Sequence, residues 1–204
     1  MLTGAAPYDG HMTSATSLPD ATVAHESWIG PVLRALPAGV VGLTITFTAN
    51  HSPALGLVML AVFGLGSAVL LGATSVKRGS RDALRSLHGG LAIIAGLVGS
   101  LSLVVLTVMG AGLAMLLLLV GGYAVVAGGF ELVWGIRHRG RSLFARDALV
   151  IGGATLALAV VLALVGDSVS AVGFFGAYAV MLAIYLLIAG FSLKWSTSAK
   201  ESTV

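Results

Sequence analysis

The chain has 204 residues, of which 57% are hydrophobic and 9% charged, with a mean hydropathy of +1.02. A water-exposed domain carries about 25% charged residues, so this inventory excludes a soluble globular fold and suits a surface that faces lipid. The net charge of +3 is spread in short clusters between apolar runs, which marks membrane orientation rather than a nucleic-acid surface. With no cysteine, disulfides, thiolate metal sites and cysteine nucleophiles are also excluded.

Residues 1–27 are polar and rich in Ala, Thr and Ser, and composition marks them as a disordered tail. They lack the basic and apolar regions of a cleavable signal, so the first span is expected to act as its own insertion signal. Six apolar runs follow, near 31–49, 53–75, 83–106, 111–136, 146–165 and 171–193. Each matches the roughly 20 residues a helix needs to cross hydrocarbon. Lipid leaves unpaired backbone groups unsatisfied, so helices are expected throughout. The fold class is therefore all-α, a polytopic membrane protein with a membrane domain over 28–195 and a short tail over 196–204.

The connections alternate in character. Those after the first, third and fifth runs are short and uncharged or weakly acidic ("ANHSP", "TVMGAG", "VGDSVS"). Those after the second and fourth are basic ("SVKRGSRDALR", "IRHRGRSLFAR"). With six spans, all eleven Lys and Arg fall on one side, and the positive-inside rule places both termini in the cytoplasm. Asp82 and Asp147 each stand in "RDAL" at the start of a run and read as helix N-caps, offering a carboxylate to unpaired N–H groups. Asp167 reads as a turn or cap residue.

Three helical hairpins emerge as a parallel repeat. "RALPAG" at 34–39 resembles "RSLHGG" at 85–90 and, more weakly, "ALVIGG" at 148–153. "FGLGSA" at 63–68 lines up with "VGGYAV" at 120–125 and "FGAYAV" at 175–180. Small residues recur four apart, as Gly64, Ala68 and Gly72 in one span and Ala92, Gly96 and Ser100 in the next. Such ridges permit close helix approach in lipid, either inside one chain or in a homo-oligomer.

Within this pattern, "LHGGLAIIAGL" (87–97), "GGYAVVAGGFELV" (121–133) and "FGAYAVMLAIYLLIAG" (175–190) resemble the HdeD-like family of bacterial acid-resistance membrane proteins. The resemblance covers most of residues 30–195 and departs in the first span, where Pro37 stands at the position of His88. It implies six helices in a bacterial cytoplasmic membrane and an association with acid or envelope stress. It transfers no catalytic residue.

The residues themselves offer little reactive chemistry. There is no HExxH, Walker A or GxSxG motif, and the five histidines lack metal-ligand spacing. No catalytic residue, metal site or cofactor is therefore expected, and the bilayer is the expected partner. Two ionisable groups do lie within spans. Glu131 is six residues before Arg137, and His88 six residues after Asp82, so both sit about 9 Å inside their helix ends. A titratable His88–Glu131 pair is the sharpest functional expectation. Against it stands pairing of Glu131 with a loop arginine such as Arg85, with His88 bonded to a backbone carbonyl. The three threonines Thr44, Thr46 and Thr48 are expected to bond back to their own helix. Trp28, Trp134 and Trp195 are expected to form an interfacial aromatic belt.

Overall fold

A computed structural model describes residues 21–78, 83–142 and 144–201, with side chains from 28 to 195 within those segments. Among the described residues the regular structure is all helical: α1 (Ala21–Phe47), α2 (Pro53–Lys77), α3 (Ala83–Val104), α4 (Leu113–Arg137), α5 (Ala145–Leu164) and α6 (Ser168–Glu201). Each contains a stretch of 20 to 28 residues long and apolar enough to span a membrane. These spans agree with the apolar runs to within three residues at each end. The tails are shorter than composition indicated. Residues 21–27 and 196–201 continue α1 and α6 as helix, while the rest of both tails lies outside the described residues.

Local chemistry explains the helix ends. At the start of α2, the Ser52 hydroxyl accepts from the Leu55 N–H (3.4 Å), and Pro53 fills the first helical position, where no N–H is needed. Asp167 caps α6, its carboxylate accepting from the Ser170 N–H at 2.9 Å. That hydrogen bond holds the exposed Asp167 carboxyl below the ordinary carboxylate range. Directly after α3 the chain continues as one π-helical turn, Val105–Met109, and stops at Gly110, whose φ of 83° suits a residue without a side chain. Thr44, Thr46 and Thr48 bond the carbonyls four residues back, at 2.7, 2.8 and 2.6 Å. In lipid this removes three hydroxyls from the account of polar groups needing partners.

The closest-packed helix pairs are α2/α3, α4/α5 and α6/α1. The repeat read along the sequence joins α1 to α2, α3 to α4 and α5 to α6, so packing pairs are offset by one helix from it. Two of the tight pairs are joined by the basic loops, and the third closes the ring between the first and last helices. Missing side chains make each contact possible. A Cβ on Gly64 would stand 2.5 Å from the Ala95 carbonyl oxygen, and one on Gly152 would stand 2.8 Å from that of Gly128. In the third pair Gly42 lies against Val180 and Gly176 against Ile45. The two small-residue ridges meet in part: Gly96 meets Ala68 and Gly72 faces Ala92, while Gly64 packs on Gly99 beside the second ridge. These contacts hold α2 to α3 inside one chain.

Inside the ring, α2, α4 and α6 touch one another, while α1, α3 and α5 scarcely meet. Away from the basic loops the centre is closed. Gly56 of α2 packs on Leu116 of α4 and Val172 of α6. Phe63 meets Tyr123 and Phe175 edge-on, at 5.5 and 6.1 Å between ring centres. Toward the basic end the interior opens into a small cleft of about 40 Å3.

Candidate functional site

A buried ion pair lies below that cleft. Arg34 of α1 donates from Nη2 to Oε1 of Glu131 on α4. Glu131 is 1% exposed, and the Arg34 side chain 14%. Helix periodicity explains why both turn inward. Arg34 stands beside Ala35 on the strip continued by Ala38, Val41 and Ile45, all buried. Glu131 belongs to the strip of Leu116, Val120, Ala124 and Ala127, also buried. Residues three or four apart share a helix face. A lone charge in this position would be far too costly, and pairing two of opposite sign makes the burial tolerable.

The expected His88–Glu131 pair is therefore corrected: the acid's ion partner is Arg34. The His88 imidazole turns instead toward α2, with Nδ1 at 3.3 Å from the Thr74 hydroxyl. Counting along the chain admits more than one group at the level of Glu131. Arg34 is six residues after Trp28, where the apolar part of α1 begins, and so sits about 9 Å inside, as Glu131 and His88 do. Depth follows from counting along the chain. Facing follows from helix rotation and packing, and it selected α1 as the neighbour of the Glu131 face.

Asp147 is also corrected. The N-cap of α5 is Phe144, and Asp147 is the third residue of the helix, in its first turn. An acid there still suits the helix dipole. Its carboxylate Oδ1 accepts the Tyr185 hydroxyl of α6 at 2.8 Å, tying α5 to α6. Asp82 lies outside the described residues. Asp167 takes the cap role expected of it.

Deeper than the ion pair, the Tyr178 hydroxyl and Thr155 Oγ1 are 2.7 Å apart, both buried, and Thr155 also donates to the Ile151 carbonyl. Sequence comparison of the repeats had paired Tyr123 with Tyr178, and both rings do lie in the core. Of the tryptophans, Trp195 is exposed as an interfacial ring should be. Trp134 departs from that expectation. It is buried, donates from Nε1 to the Ala83 carbonyl (3.3 Å) and stacks on His138. Lys194 stands 5.0 Å over the Trp28 ring, joining α6 to α1 at the basic end.

The cleft above the pair is lined by Arg34, Arg78, His88 and Asp147, with Leu87, Ile151 and Leu186 among its apolar walls. It opens between α1, α3 and α5 at the basic end. No group of three metal-ligating side chains occurs among the described residues. No protein-family model, curated protein or solved structure matches this chain.

Proposed function

We propose that this chain is a non-enzymatic membrane protein that supports tolerance of acid or envelope stress, with both termini in the cytoplasm of a bacterial cell. The observation that carries the non-transporting part is the closed half of the bundle. Beyond the Arg34–Glu131 pair, Leu57, Leu60, Phe63, Leu116, Val172 and Phe175 fill the centre, each at most 3% exposed. A solute path would need a run of polar groups there, and apart from Tyr123 and the Tyr178–Thr155 contact the filling side chains are apolar. The stress role rests on the resemblance to HdeD-like proteins at 87–97, 121–133 and 175–190. The topology rests on the confinement of the cations to one end of the helices.

A small transporter is the second reading, favoured by the cleft that reaches Arg34 from the basic end. It requires the apolar plug to part. Two measurements separate the readings. Proteoliposomes should show no proton or solute flux above protein-free liposomes, and deletion of the gene should lower survival in acid, restored by the wild-type chain. Flux that disappears in Glu131→Gln would establish the transporter instead.

A further inference from the structure

We infer that the cleft at the basic end is a binding site for a monoanionic amphiphile, whose carboxylate or phosphodiester oxygens rest on the Arg34 guanidinium. The site stands independently of the stress reading.

A guanidinium has five N–H donors in a planar fork. Glu131 takes up Arg34 from the bundle side through Nη2, and Arg34 makes no other hydrogen bond to the described residues. Glu131 itself is sealed from the cleft, whereas Arg34 forms part of its lining. Donors are therefore left facing an open space, in surroundings where an oxygen ligand would be held more strongly than in water. A fork of two oxygens is the partner that guanidinium geometry matches best.

Charge and shape narrow the ligand. Arg34 and Glu131 cancel, and the cleft wall carries a second carboxylate, Asp147. Two carboxylates near the guanidinium, Glu131 and Asp147, disfavour a dianion such as a phosphate monoester and leave a monoanion as the better match. Leu87, Ile151 and Leu186 supply an apolar surface beside the guanidinium, to be covered by an alkyl substituent. The cleft opens at helix-end depth, where either a free carboxylic acid or the phosphodiester of a membrane lipid can enter. Both present the same chemistry to Arg34.

The test uses the full chain in nanodiscs of phosphatidylcholine, with empty nanodiscs as the blank. Sodium octanoate, dihexanoyl phosphatidylglycerol and uncharged octanamide are titrated separately by calorimetry. Saturable binding of at least one anion is expected, with octanamide at least tenfold weaker. Binding by octanoate alone assigns the site to free carboxylates, and binding by the phosphatidylglycerol alone assigns it to lipid. If both bind, each should displace the other. The variant R34Q/E131Q removes both charges together, and A189F fills the cleft without touching the pair; each should weaken anion binding at least tenfold. Absence of saturable anion binding, equal binding of octanamide, or full affinity in a folded A189F protein would each overturn the assignment. If R34Q/E131Q does not fold, the wild-type octanoate–octanamide contrast and A189F still decide.

Discussion

At the residue scale, the Arg34–Glu131 pair is where single changes matter most. Breaking a buried ion pair leaves one charge without a partner and costs about 3–5 kcal/mol. Glu131→Gln and Arg34→Gln should each lower stability by an amount near this range, read as thermal unfolding in one detergent. The double change should cost clearly less than the sum of the singles. His88→Ala, which faces Thr74 instead, should add to Glu131→Gln without coupling; a strong coupling would return His88 to the acid. A different acid sets a pH dependence. The folded Asp167 carboxyl is held below its ordinary value, so its contribution is fully present above the ordinary carboxylate range and fades as pH falls through the folded value. Asp167→Asn should thus differ from wild type in stability at neutral pH and converge with it in strong acid.

At the element scale, backbone proximity decides which glycines matter. Lipid provides no hydrophobic drive between helices, so packing and close approach must hold the pairs. A Cβ at Gly152 would meet the Gly128 carbonyl oxygen at 2.8 Å and the Leu132 nitrogen at 2.8 Å, atoms that cannot rotate away. Gly152→Ala should therefore cost about 1–3 kcal/mol by overpacking α4 against α5. Gly122→Ala places its methyl in open space and should be neutral or stabilising by up to about 1 kcal/mol, since Ala is the better helix former. The two variants can be compared by thermal unfolding in the same detergent. If both cost the same, the close approach of α4 and α5 is wrong.

At the scale of the whole molecule, the sidedness of the cations organises the protein. One end of the bundle carries the basic loops, the cleft and the mouth leading to Arg34; the other is closed by apolar side chains. Under the proposed topology, the basic end faces the cytoplasm. The chain has no cysteine, so single cysteines report cleanly. In intact cells an impermeant thiol reagent should label Asn50→Cys in the first short connection and leave Arg139→Cys untouched. Labelling of the second would invert the topology, and with it the compartment from which the cleft is filled.

Six helices, their lengths and the confinement of charge were determined by composition and hydropathy alone, because a bilayer imposes one length and one backbone solution on every span. Depth was equally legible: counting from helix ends set Glu131 and His88 at one level. The partner of Glu131 was decided only in three dimensions. Arg34 had a visible signal, its six-residue distance from Trp28, but that distance says nothing about which side of α1 meets α4. The same reason explains the offset between repeat and packing. Internal similarity records how hairpins follow one another along the chain, whereas small-residue contacts between backbones fixed α2 on α3, α4 on α5 and α6 on α1.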